Sequence, residues 1–201
     1  MIRRIVVILS ALFLAIGILA SSILRATSLA YHAPSHPSYT LAAETESQPS
    51  IDYSLASPGR ILPDNPLWFF KALKDKFDIF LATDATRRAE LKLLLADKRL
   101  AGSKILFEKG KSAVALSTLT KGEKYLEEAS KESTSSSFLE TISKASLKHR
   151  EVIEAILATS PEEIRPKLTQ VEDYSKVVYK KTSESLISQG MQVTKSPFDR
   201  N

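Results

Sequence analysis

Residues 61 to 81, ILPDNPLWFFKALKDKFDIFL, constrain the fold more than any other stretch. They read as a rigid turn that launches one strongly amphipathic helix. Asn65 is placed to cap that helix, and Pro66 suits the first helical position, where a missing N–H needs no partner. Phe69, Phe70, Leu73, Phe77, Phe80 and Leu81 then fall on one face at helical spacing. No later segment carries so many aromatics. The pattern predicts a helical core formed around this helix, with Phe77 buried centrally between it and the hairpin that follows.

A second, narrower stripe lies on the same helix. Trp68, Ala72 and Ile79 are spaced by four and seven residues, about 100° or more from the Phe77 face, and Asp75 interrupts them. Two readings are open for this stripe. Later helices or the lead-in over 54–58 bury it, or Trp68, the only tryptophan, stays partly exposed and contacts a partner with Ile79 beside it.

The remaining helices follow from their caps and periods. Asp84 or Thr83 caps a second helix running to about Lys109, with Leu91, Leu94, Leu95, Ala101 and Ile105 on its apolar side. Gly110 stands where a left-handed C-terminal residue is wanted. A third helix, about Lys111 to Glu132, shows Ala115, Leu119, Gly122, Leu126 and Ala129. The short connection predicts an antiparallel hairpin. Ser133 to Ser137 break the pattern, and a fourth helix follows from about Phe138 to Thr159. His149 lies on or beside its apolar face and reads as a partly buried structural histidine, with no carboxylate cluster in the local sequence. Ser160-Pro161-Glu162-Glu163 fits a capping box for a fifth helix reaching about Gln189. Pro166 must kink its first turns or delay the regular helix. The expected fold is all-α, an antiparallel bundle of about five helices over residues 58–190, with a frayed tail over 191–201.

Ahead of the bundle, residues 5–24 contain no charge and are long enough to cross a bilayer as a helix. The run exceeds a usual signal-peptide core, which favours a membrane anchor over residues 1–25. Small residues at Ser28-Leu29-Ala30 and Ala20-Ser21-Ser22 leave a cleaved signal, and hence secretion, as the alternative. Arg3 and Arg4 outweigh Arg25, so the N-terminus is expected inside and the rest of the chain outside. Residues 26–57, with Pro34, Pro37 and Pro49, read as a disordered linker. His32 and His36 sit there with Pro34 between them and no third ligand nearby, so no metal site is read from them.

Charge and composition then narrow the function. Of 28 Lys and Arg, Arg3, Arg4 and Arg25 flank the apolar run, which leaves 25 against 23 acidic residues, or +2, for the rest. So small an excess argues against a nucleic-acid partner. With no cysteine there is no disulfide framework and no thiolate metal site.

Pro58-Gly59, Leu62-Pro63-Asp64, Pro66-Leu67 and Leu73-Lys74, continued by Asp84, Ala89, Leu91, Ala96 and Arg99-Leu100-Ala101, carry a family likeness. The chain resembles, over roughly residues 53–130, a bacterial domain family of unknown function, the one numbered 5667. The Leu-Pro-Asp-x-Pro-Leu string is its most specific part, and Trp68 takes the aromatic place after it. Gly102 stands where the resemblance implies an acidic residue. The resemblance implies an all-helical, often exported module with no assigned activity and no catalytic residues to carry over.

No phosphate loop, nucleophile elbow or His-Glu metal motif is present in the sequence. The carboxylate pairs Glu127-Glu128 and Glu162-Glu163 occupy neighbouring helix positions that point apart. No catalytic, cofactor-binding or metal-binding residue is therefore assigned. The expectation is a non-enzymatic, extracytoplasmic helical module, tethered to the membrane through residues 5–24 and serving as a structural or protein-interaction element. The alternative is an envelope chaperone or stress sensor that binds unfolded chains. An enzyme is disfavoured by the lack of clustered His, Asp and Ser.

Overall fold

Five helices account for most of the chain between residues 51 and 198. The computed structural model describes residues 51–132 and 135–198. The helices are α1 (Trp68–Leu81), α2 (Ala85–Glu108), α3 (Ser112–Glu132), α4 (Ser136–Thr159) and α5 (Arg165–Ser188), with no strand among the described residues. The protein is an all-α bundle. The apolar helix expected over 5–24, the linker up to residue 50 and residues 199–201 lie outside the described residues.

Local chemistry sets the helix ends. The Asn65 side chain accepts from the Leu67 N–H at 2.9 Å in the turn before α1. The N-cap is Leu67 and carries no side-chain cap, so Asn65 and Pro66 stand ahead of the helix and not at the cap and first position expected of them. Asp84 accepts from the Arg87 N–H at 2.8 Å and starts α2. Gly110, at φ 71°, ends it, with the Lys111 N–H bonded to the Leu106 carbonyl at 2.9 Å. So few residues between α2 and α3 can only reverse the chain, and the two helices form a hairpin. A second hairpin pairs α4 with α5; α3 packs on α5, and α2 on α4.

The start of α5 differs from expectation. No capping box forms: the Ser160 hydroxyl donates back to the Ile156 carbonyl at 2.7 Å, closing α4 instead. Regular helix begins only at Arg165, with Pro166 in its first turn. A proline has no N–H to lose there, so the helix waits for it.

The lead-in and the tail are more ordered than composition suggests. Residues 51–57 fall in the stretch read as linker, yet Ile51 is buried, Tyr53 packs on one core cluster and Leu55 on the other. Alternating apolar residues give this short segment enough burial to be held against the helices. Past α5, the Tyr179 hydroxyl donates to the Thr194 carbonyl at 2.7 Å, and the Arg150 guanidinium lies 4.3 Å from the Phe198 ring centre.

The core has two apolar layers. One gathers Leu93, Ala96, Leu126, Ala129, Ile142, Ala145 and Val178. The other gathers Leu100, Leu119, Ile153, Ile156, Leu168 and Val171. Gly122 lets α2 and α3 approach closely at their crossing. A Cβ built there would stand 3.1 Å from Arg99 Cβ and 3.2 Å from the Ala96 carbonyl oxygen, which is backbone and cannot swing away. Gly122→Val should therefore lower stability by about 1–3 kcal/mol through overpacking, read as a fall in the urea midpoint of unfolding.

Candidate functional site

The amphipathic helix α1 touches α2 alone among the helices and contains no fully buried residue. It presents two faces of opposite character. Trp68, Lys71, Ala72, Asp75, Asp78 and Ile79 are half-buried. Phe69, Phe70, Leu73, Phe77, Phe80 and Leu81 are exposed, Phe77 at 53% and Phe80 at 81%. The expectation that Phe77 occupies the centre of the core is thus corrected. The four long helices fill the core with their own leucines, isoleucines and alanines, and the inward side of α1 is held by polar anchors that large apolar side chains cannot provide.

Those anchors are specific. The Lys71 ammonium donates to the carbonyls of Pro58 at 2.6 Å and Ile61 at 3.2 Å. The Arg99 guanidinium lies between the rings of Trp68, 5.4 Å from its centre, and Tyr125, at 5.1 Å. Trp68 and Ile79, the candidate partner contacts, therefore lie on the half-buried side of α1. Within the Leu-Pro-Asp-x-Pro-Leu string the first half is held against the bundle, while Asn65, Pro66 and Leu67 are exposed. Leu62 is buried, and Asp64 accepts from Lys111 at 2.7 Å, tying the lead-in to the α2–α3 turn. Gly102 is buried with Leu62 and Pro58 at the distance of ordinary contact from its missing side chain, so an acidic residue there would meet an apolar wall.

Because Phe77 faces solvent, Phe77→Ala should change stability by no more than about 0.5 kcal/mol, against the ~3–5 kcal/mol cost of truncating a buried phenylalanine. Thermal unfolding of the variant checks this directly.

A second constellation lies between the two apolar layers. Asp97 from α2, Glu123 from α3, His149 from α4 and Ser175 from α5 form one buried polar layer. His149 Nδ1 is 2.7 Å from Glu123 Oε1, and its Nε2 is 3.0 Å from Asp97 Oδ1. The Ser175 hydroxyl donates to Glu123 Oε2. The Tyr53 hydroxyl and the Ala56 N–H donate to Asp97 Oδ2, at 2.9 and 3.3 Å. Every carboxylate oxygen in the layer thus has a donor. Burial alone would lower the His149 pKa, but the Glu123 charge and the hydrogen bonds to Asp97 and Glu123 prevail and raise it to about 9. His149 is therefore an imidazolium at neutral pH, donating from both ring nitrogens.

The sequence expectation placed no carboxylates beside His149; the bundle brings in two, from positions 52 and 26 residues earlier in the chain. The signal that could have found them is positional. Asp97 falls between Leu93 and Leu100, Glu123 between Leu119 and Leu126, and His149 between Ala145 and Ile153, each at core spacing. Chemically the layer holds a proton and ties four helices together. Ser175 is bonded to a carboxylate and not to the histidine, so the set is not a hydrolytic triad. Among the described residues no group of His, Asp and Glu is arranged to hold a metal ion. In the groove between the α2–α3 turn and the end of α4, lined by Lys104, Phe107, Ser112, Ile156 and Ser160, the Ser160 hydroxyl is committed to the Ile156 carbonyl.

Among known protein families, the one described as "Domain of unknown function (DUF5667)" matches residues 60–163. That is 104 of 201 residues (163 − 60 + 1), just over half of the chain, and it spans α1 to α4. No curated protein and no solved structure matches the chain.

Proposed function

We propose, for a chain that belongs to the DUF5667 family, a non-enzymatic helical module held at the outer side of a cell membrane through residues 5–24 and acting by surface contact. The observation that carries this reading is the exposed apolar face of α1. Six large apolar side chains on one helix, all facing solvent, are what soluble domains avoid unless the patch meets something. The charge-free run over 5–24 supplies the tether, and Arg3 and Arg4 set its direction. Among the described residues no helix is long and apolar enough to cross a membrane.

Protease added to intact spheroplasts tests the placement. Cleavage near Pro34 and Pro49 without lysis is expected, and full protection until lysis would overturn it. The exposed phenylalanines also favour a second reading, capture of unfolded chains outside the cytoplasm. That reading requires the full-length protein to suppress aggregation of a reduced, denatured test protein, and requires Phe70→Ser with Phe80→Ser to abolish the suppression.

A further inference from the structure

The exposed face of α1 has a border as informative as its centre. At 100° per residue, Phe69, Phe80, Leu73, Phe77, Phe70 and Leu81 fill an arc of about 120°. Lys76 lies just outside one edge of that arc and Lys74 just outside the other. Both are exposed. The two acidic residues of the helix, Asp75 and Asp78, are on the half-buried side. Lys74 pairs with Asp78 at 2.6 Å, but its side chain is 68% exposed, and such a surface pair holds it weakly.

An apolar arc flanked on both sides by flexible cations is the pattern of a helix lying in a membrane interface. The rings enter the boundary between headgroups and acyl chains, and the lysine stems reach up so that the ammoniums meet phosphate. A protein groove would have to carry an acidic rim on both sides to match the same borders, whereas an anionic bilayer presents phosphates all round. The position of the helix in the chain agrees. Residues 25–50 separate the charge-free run from the described bundle, and 26 residues can extend no further than about 90 Å. A bundle tethered so closely meets the bilayer at high effective concentration. The 14 residues of α1 give a contact about 21 Å long, and among the described helices α2 alone packs on α1.

We infer that α1 docks on the lipid bilayer to which the chain is tethered, with Phe69, Phe70, Leu73, Phe77, Phe80 and Leu81 in the acyl-chain boundary and Lys74 and Lys76 against the phosphates of anionic headgroups. This rests on the tether over residues 5–24 and adds a second contact that lays the bundle on the surface. The polar layer around His149 is untouched by docking, since α1 contributes no residue to it.

The test uses the full-length protein in vesicles of phosphatidylcholine with and without phosphatidylglycerol. The chain has no cysteine, so Phe77→Cys supplies a single thiol for an environment-sensitive fluorophore, and far-UV circular dichroism checks that the helices remain. Lipids brominated on the acyl chains should quench the label, and iodide in the water should not. Lys74→Gln with Lys76→Gln should lower the docked-to-undocked ratio on phosphatidylglycerol vesicles about 30-fold, equivalent to about 1 kcal/mol per lysine, and leave it unchanged on phosphatidylcholine alone. A label quenched by iodide and not by bromolipid overturns the inference. So does shielding that rises with protein density in the vesicles, which assigns the face to a second copy. Vesicle flotation separates the two levels. A chain that floats while position 77 stays in water refutes docking and keeps the tether; a chain that does not float refutes both.

Discussion

Replacing His149 with leucine should cost the bundle about 3–5 kcal/mol, the penalty for breaking a buried ionic network by removing one partner. The ring is fully buried and is the cation between two carboxylates, of which Glu123 is fully buried and Asp97 4% exposed. Leucine fills the volume but leaves both carboxylates facing each other across an apolar gap. Since a domain of this kind is stable by only ~5–15 kcal/mol, the variant sits near the edge of folding. The urea midpoint of a fragment spanning residues 51–198 measures the loss. A second variant separates cavity and packing effects from charge. Changing Asp97, Glu123 and His149 together to leucine removes the stranded charges and should recover most of the stability, because buried ion networks roughly break even against apolar replacements. If His149→Leu alone costs less than about 1 kcal/mol, an ordinary figure for a point mutant, the layer does not hold the bundle together.

The same histidine gives the fold an alkaline weakness. A histidine in the unfolded chain titrates near 6.5, and His149 in the folded chain near 9. Below about pH 6.5 both states carry the proton and the full stabilisation is present. Between the two values the folded state keeps a proton that the unfolded state has released, so stability falls as pH rises. Above about pH 9 the proton is gone from both, and about 3 kcal/mol has been lost. Urea midpoints at about pH 6 and about pH 10 should show this fall, and the triple-leucine variant, which has no histidine or carboxylate in the layer, should lack it. A parent protein as stable at high pH as at low would mean that the folded chain holds the His149 proton no more tightly than the unfolded one.

Much of the backbone was legible from punctuation. Asp84 and Gly110 bracket α2 as their chemistry demands, and Pro166 sits in the first turn of α5, which suits a residue without an N–H; Pro66 instead precedes Leu67, the N-cap of α1, in the turn that leads into the helix. What periodicity could not say is which apolar face a helix buries. On α1 the bulkier face is the outer one, because the inner face is chosen by groups elsewhere. These are the carbonyls of Pro58 and Ile61, which take Lys71, and the Arg99 guanidinium, which takes Trp68. The polar layer was hidden for a related reason. Asp97, Glu123, His149 and Ser175 occupy core positions on four different helices, and read one helix at a time each looks like a polar interruption. Only the crossing of the helices makes them mutual partners. Ser160 misled for a simpler reason: its hydroxyl has two possible carbonyl and N–H partners, and the end of α4 is nearer than the start of α5.

Surface contact through α1 requires its phenylalanines to face outward. Single cysteines at positions 77 and 126 of the 51–198 fragment test it most directly, since the chain has no thiol of its own and Leu126 is fully buried. A thiol reagent should label position 77 of the native fragment about as fast as an unfolded peptide. It should label position 126 only as fast as the whole bundle opens. If position 77 is as protected as position 126, the aromatic face is core, and both the contact surface and its docking on the bilayer are contradicted.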